Sequence, residues 1–331
     1  MSPEDRAPAA DPIRLDAIES VVVEAIRSGG PDRTVAVAVV DASSPLADFG
    51  RAIEAARFPE FDMAKAMEPF EPSSLFLYSV DVEHGRIGHV KRLVRGNNAD
   101  EFARTGRTNI EVLDDRLDAA VPEERAELAD LFAQFGITDP ASCWNIATSC
   151  ATERIAPTRH RPYSLLTYKG LLLLIQPIHV DHFFAYVNKK TVRSMGRLGI
   201  PSTLVGDHEF HLPGLDGYDP DYVAIHMTPD DATVRAFTVF DPAHPLSRPV
   251  AEADLQVVVL VHDGQVLDIT DAVVSDSVEL VHLPATDVID LTDPQVVLDL
   301  RWEDELVIDL TEREAELVID LTEREAGHRS A

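Results

Sequence analysis

The sequence predicts an α/β (α+β) domain, a mixed sheet with helices on both faces, followed by an acidic repeat tail. Three observations carry this. Strand-length β-branched runs come first with few helices between them, and strands then alternate with helices. The helical stretches bring their own start and stop signals. The end of the chain repeats one string, LVIDLTEREA, at 306–315 and again at 317–326.

The elements follow in order. Residues 1–12 are polar and proline-rich and are expected to be a disordered N-terminus. Leu15, Ile18, Val22 and Ile26 recur at helical spacing, and Gly29-Gly-Pro31 ends that helix. Thr34 to Val40 is a strand by its β-branched alternation. Ser44-Pro45 opens a helix to about Arg57, with serine as cap and proline in the first turn. Ser74–Asp81 and Ile87–Val94 form a hairpin across Glu83-His-Gly85-Arg. An amphipathic helix is expected over 123–135, stopped by Gly136, and a strand over 142–152.

Tyr163 to Gln176 is helical up to Pro177. Phe183–Val187 is a short buried strand. Thr191–Leu198 is a helix with Thr191 as cap and Gly199 beyond its end. Strands at 222–227, 234–240 and 255–262 complete the set. The predicted organisation is a domain over 13–245, a β-rich extension over 246–285 and a tail over 286–331.

Charge and composition narrow the function classes. The chain has 331 residues and a net charge of −29. From Asp287 onward there are 14 acidic and 4 basic residues, so the body is acidic as well. Such a surface disfavours nucleic acid and anionic membrane as partners. Two cysteines, Cys143 and Cys150, make no disulfide framework. Apolar runs such as Gly170–Ile175 are far short of a membrane span, and the N-terminus lacks an apolar signal region. A soluble, cytoplasmic protein is expected. Arginine outnumbers lysine 24 to 5, and alanine is abundant, which points to a GC-rich bacterial genome.

An ordered succession of short motifs resembles one family. Phe58-Pro-Glu60-Phe-Asp62 precedes the first hairpin strand, and Gly88-His-Val-Lys-Arg92-Leu lies in the second. Cys143-Trp144-Asn-Ile-Ala-Thr-Ser-Cys150 follows as a tryptophan-led strand. Phe183–Asn188 and Arg197-Leu-Gly-Ile-Pro201 close the unit. This order is similar to that of the acyl-homoserine-lactone synthases and N-acyl amino acid synthases, over roughly residues 34–240. The resemblance implies an acetyltransferase-like fold, a splayed sheet that holds an acyl thioester of coenzyme A or acyl carrier protein, with no metal. It implies that Glu60, Asp62, Arg92 and Trp144 face the acceptor substrate. Asn145 and Thr148-Ser149-Cys150 stand where the family has a glutamate and a Ser-Arg pair, which sets homoserine lactone synthesis itself apart.

Acyl transfer to an amine requires a proton acceptor, a partner for the carbonyl oxygen and cations for the carrier's phosphates. Glu153, at the exit of the tryptophan strand, reads as a general base through water or as a solvated carboxylate. Arg154, Arg159 and Arg161, with His160, form a basic cluster ahead of a helix. They suit a pyrophosphate or phosphopantetheine arm, or pair with nearby acids. The question for the structure is whether the strands at 75–94 and 144–152 splay around a cleft lined by Arg154 and Arg159. Cys150 reads as a small core residue or as the nucleophile of a hydrolase, with His160, His179 or His182 as base. His179-x-x-His182 and His208-x-x-His211 have the spacing of two half-sites for a metal, but lie outside helices.

The tail carries Val288-Ile289-Asp-Leu291, Val307-Ile308-Asp-Leu310 and Val318-Ile319-Asp-Leu321, flanked by acids. These strings resemble SUMO-interacting motifs, which add a strand to the edge of a ubiquitin-like partner. Repetition raises avidity. A non-catalytic adaptor is thus the alternative function, and a disordered acidic terminus or a helical seam through Leu306, Leu310, Leu317 and Leu321 are the alternative structures.

Overall fold

The computed structural model describes residues 12–29, 34–59, 62–96, 134–152, 154–155, 163–175, 178, 180–197, 200–205, 222–229, 255–262 and 278–283. The expected N-terminal disorder (1–11), nearly all of the helix at 123–135, the strand at 234–240 and the tail at 286–331 lie outside these residues.

Helix α1 (Pro12–Gly29) buries the predicted stripe: Ile18, Val22 and Ile26 are 2% exposed or less. β1 (Val35–Asp41) is covered on both faces, which is why it reads as an unbroken apolar run. α2 (Ala47–Arg57) begins later than the Ser44-Pro45 signal. Ser44 Oγ instead accepts from the Leu46 amide at 3.2 Å, tightening a turn before the helix. A short α3 (Met63–Met67), capped by Asp62 on the Lys65 amide, and a 3₁₀ turn at Glu68–Ser73 follow. The sequence reading has no element there.

β2 (Ser74–Asp81) and β3 (Arg86–Val94) form the expected hairpin, with Gly85 at φ 66 in the turn. β4 (Cys143–Ala151), α4 (Tyr163–Ile175) and β5 (His182–Asn188) fall where predicted. α5 (Lys189–Arg197) starts directly after β5, and its cap is Asn188 rather than Thr191. Asn188 Oδ1 accepts from the Thr191 amide at 2.7 Å and from its hydroxyl at 2.9 Å. β6 (Thr203–Leu204), β7 (Tyr222–Met227), β8 (Gln256–His262) and β9 (Val278–Leu283) complete the described strands.

All nine described strands join one mixed sheet, ordered β6-β7-β5-β4-β3-β2-β1-β8-β9. β1 to β4 run antiparallel in turn, β5 is parallel to β4, and β7 and β6 are antiparallel again. β8 and β9, from the stretch read as an extension, add in parallel beside β1. α4 covers one face, where Leu166, Leu171 and Leu174 meet Val37, Val39, Leu77 and Leu93. Gly170 lets α4 approach so closely that a Cβ there would lie 2.6 Å from Val37. α2 covers the other face. Phe49 meets Tyr78 edge-on at 5.6 Å, and the Tyr78 hydroxyl donates to the Leu46 carbonyl at 2.9 Å. The predicted α/β architecture with helices on both faces is therefore the observed one. No described helix is long and apolar enough to cross a membrane.

Candidate active site

Among the described residues, the sheet opens between β4 and β5. β4 and β5 pair from Cys143–His182 to Ile146–Ala185, and among the described residues no β4–β5 pairing continues past Ile146. β4 runs on to Ala151 against β3, while β5 runs on to Asn188 against β7. Ala147 is the extra residue in the β3–β4 ladder, where register jumps from Arg92–Thr148 to Leu93–Ile146. Such a bulge bends its strand and increases local twist, which draws β4 away from β5. Beyond it, Thr148 and Cys150 stay buried while Ser149 and Ala151 are exposed. The opening thus lies between β4 and β5; the strands at 75–94 and 144–152 stay paired instead of parting.

The β4 face under α4 carries a polar chain. Ser149 Oγ lies 3.2 Å from His89 Nε2, and His89 Nδ1 lies 3.1 Å from Thr167 Oγ1. Thr167 donates to the Tyr163 carbonyl at 2.8 Å, as does Ser79 from β2. The Thr167 proton has the Tyr163 carbonyl, Ser79 and His89 within reach; in the arrangement where it goes to Tyr163, Thr167 accepts from Nδ1–H and Nε2 is left as the acceptor toward Ser149. Burial drives the His89 pKa well below the usual range for histidine, and neighbouring Lys91 pushes the same way. The imidazole is neutral. Lys91 is fully buried, and its Nζ sits 3.0 Å from the centroid of the Tyr168 ring with no hydrogen-bond acceptor among the described residues. Burial holds its pKa well below that of a free lysine.

The opposite face holds a closed ionic cluster. Arg92 donates from Nε and Nη2 to Glu54 at 2.6–3.1 Å and from Nη1 to Glu71 at 2.8 Å. Thr148 also donates to Glu54, and Arg51 bridges Glu71 and Asp48. Cys150 is 1% exposed, and burial first, then the charge of Glu54, pushes its thiol up to about 12. A thiol in that range carries no useful thiolate at neutral pH.

Other residues named from the sequence scatter. Trp144 is buried in the core with Ile146 and Phe183, at the closed end of the fork. Asp62 caps α3 at the surface. Arg154 turns to α1, pairing with Glu19 at 3.0 Å and with Asp16. Glu60, Glu153, Arg159, Arg161 and the tail positions lie outside the described residues. So do His179, His208 and His211. His182 instead meets His226, Nδ1 to Nε2 at 3.0 Å, and His226 stacks on Phe135 at 4.0 Å. Asp81, Glu83 and His84 form an acidic group at the hairpin, where Asp81 is already bonded to the Tyr163 hydroxyl and to His84.

Sequence reasoning passed over His89 and Glu54. The available signal was His89 and Lys91, polar residues at alternate positions of a strand that is buried along nearly all its length.

No family model matches the chain, and no curated protein matches it. Several solved structures are similar. One is FeeM, an N-acyl amino acid synthase from uncultured soil microbes, 12% identical with a TM-score of 0.42, covering 62% of this chain and 95% of that one. Another is the CoA-dependent acyl-homoserine lactone synthase BjaI, 10% identical with a TM-score of 0.40, covering 71% and 96%. A third is the CoA-dependent synthase MesI, 16% identical with a TM-score of 0.36, covering 60% and 92%. The likeness is loose on both measures.

Proposed function

We propose that this protein is an acyltransferase that moves an acyl group from a thioester carrier, coenzyme A or acyl carrier protein, to an amine. The fork between β4 and β5 is the observation that carries the reading. An extended pantetheine arm is about one strand wide and bears amides, so it fits where β4 has lost its neighbour and can complete the interrupted ladder. The fork's rim supplies a hydroxyl backed by a neutral imidazole, Ser149 and His89, so the site has a group able to hold a proton. The phosphates fall to the segment between β4 and α4, where the sequence places Arg159 and Arg161.

The test is free-thiol release from a series of acyl-coenzyme A thioesters and acyl carrier protein thioesters, each with free amino acids and homoserine lactone as acceptors. Turnover dependent on both donor and amine is expected. The reading is abandoned if no pair exceeds the enzyme-free blank.

The tail favours a second, compatible role as a recruiting segment. Val-Ile-Asp-Leu strings at 288–291, 307–310 and 318–321 present alternate apolar residues between acids, the pattern of a strand that docks on a sheet edge with a basic rim. Retention of the full chain on an immobilised ubiquitin-like protein, lost on joint Ile289→Ala, Ile308→Ala and Ile319→Ala substitution, is the expected result. Equal retention of both proteins removes it.

A further inference from the structure

Ser149 stands on the open stretch of β4, past the last residue paired with β5, and is exposed there. Behind it the chain of hydrogen bonds runs inward without a break. It passes through His89, which is 4% exposed, to Thr167 and Ser79, which are fully buried, and ends on the Tyr163 carbonyl of α4. Two hydrogen bonds hold the imidazole, one to Ser149 of β4 and one to Thr167 of α4, and Ser79 of β2 and the Tyr163 carbonyl back Thr167. Lys91 is the charged-type neighbour on the same face, and Asp81 is engaged by the Tyr163 hydroxyl at 2.6 Å. A buried histidine whose only outward contact among the described residues is an exposed serine hydroxyl is more than a packing solution. A phenylalanine would fill the volume without demanding two polar partners.

We propose that Ser149 and His89 form the proton-accepting pair of the acyl transfer, with Ser149 touching the attacking amine and His89 receiving the proton behind it. The inference rests on the acyl-transfer reading. As the amine nitrogen attacks the thioester carbonyl carbon, a C–N bond forms and one N–H proton passes to Ser149 Oγ. The Ser149 proton moves at the same time to His89 Nε2. The tetrahedral centre collapses, the C–S bond breaks, and the sulfur leaves with the bonding pair. The proton held on Nε2 returns through Ser149 to that sulfur. Amide and free thiol are the products, and the pair ends as it began. Thr167 accepts from Nδ1–H throughout and so fixes the tautomer that leaves Nε2 basic.

The experiment uses the full chain and the donor–amine pair with the highest free-thiol release. Ser149→Ala and His89→Gln are each expected to lower kcat by about 10²-fold or more, the range of a positioned acid–base group. Ser149→Thr, which restores a hydroxyl, is expected to recover much of the rate. The acid limb of the kcat/KM profile should vanish in His89→Gln, a change that a merely structural loss would not produce. Ser149 is exposed, so Ser149→Ala reports even if His89→Gln fails to fold. Turnover unchanged in Ser149→Ala overturns the pair while leaving the acyltransferase standing. Imidazole ¹⁵N shifts give a reading independent of turnover. An Nε2–H tautomer at His89 overturns the proposal whatever the activity, and Nδ1–H supports it. If no pair turns over in the unmodified protein, the acyl-transfer reading falls and this inference falls with it.

Discussion

Arg92 Nη2 donates to Glu54 Oε2 at 2.6 Å, and both side chains are almost wholly withdrawn from water, at 2% and 1% exposure. The resemblance gives Arg92 to the acceptor substrate, yet its guanidinium is engaged by Glu54 and Glu71 inside the fold. Removing one partner leaves the other charge buried and uncompensated, which costs about 3–5 kcal/mol. Glu54→Gln and Arg92→Leu should each lower unfolding stability by that order in urea titration. The double variant Glu54→Leu with Arg92→Met should recover most of the loss. A single variant within 1 kcal/mol of the unmodified protein, an approximate threshold on the same scale, would remove this pair from the fold's supports.

Lys91 sits beneath Tyr168 with no hydrogen-bond acceptor for Nζ among the described residues, and burial holds its pKa well below that of a free lysine. An unsatisfied buried polar group costs about 1–3 kcal/mol. Lys91→Met keeps the stem and deletes the amine, so it should raise stability by about 1–2 kcal/mol at neutral pH. The gain should shrink as pH rises toward 10. The unfolded lysine holds its proton up to about 10.4 while the folded one loses it at lower pH, so the native state strengthens as pH rises between the two values. Stability falling in Lys91→Met would show that the amine has a partner when the protein works.

Acid should weaken the fold through its buried histidines. Burial, then neighbouring His182, lowers the His226 pKa to about 4, and burial also lowers His89 and His182. Their stability contribution is complete above the unfolded histidine's pKa of about 6.5. It declines as pH falls from there, by about 1.4 kcal/mol per unit for each histidine that stays neutral in the fold. For His226 the decline ends near pH 4, where the folded side chain also takes up a proton. Glu19, whose carboxyl burial raises, opposes part of this between its unfolded and folded values. His226→Phe keeps a ring on Phe135 and should flatten the slope between pH 6.5 and 4 by about one histidine's share. An unchanged slope would exclude His226 as a source.

Cys150 should be inert. Its thiol is buried and pushed up to about 12, so alkylation by iodoacetamide at pH 8 should be negligible in the native protein and complete in urea. Native-state labelling at the unfolded rate would reopen the hydrolase reading.

Much of the fold was legible because its signals are local. The β-branched run at 35–41, the glycine hairpin at 83–86 and the leucine-rich helix at 163–175 each announce themselves within a dozen residues. The start of α5 was misread because Asn188, at the end of a strand, also caps the helix that follows. The 3₁₀ turn at 68–73, with prolines at 69 and 72, has no periodicity to find.

By itself the sequence determined the class of fold, most of the elements and the repeated acidic tail, because propensity, caps and apolar period act over a few residues. Tertiary structure alone decided where the sheet opens and which polar groups stand there. The opening depends on one extra residue, Ala147, in a ladder between strands more than 50 positions apart. The Ser149–His89 contact spans 60 residues, and Glu54 reaches Arg92 across 38. Hydrogen bonds and ion pairs are satisfied by whatever the fold brings within about 3 Å, and no local pattern encodes that distance.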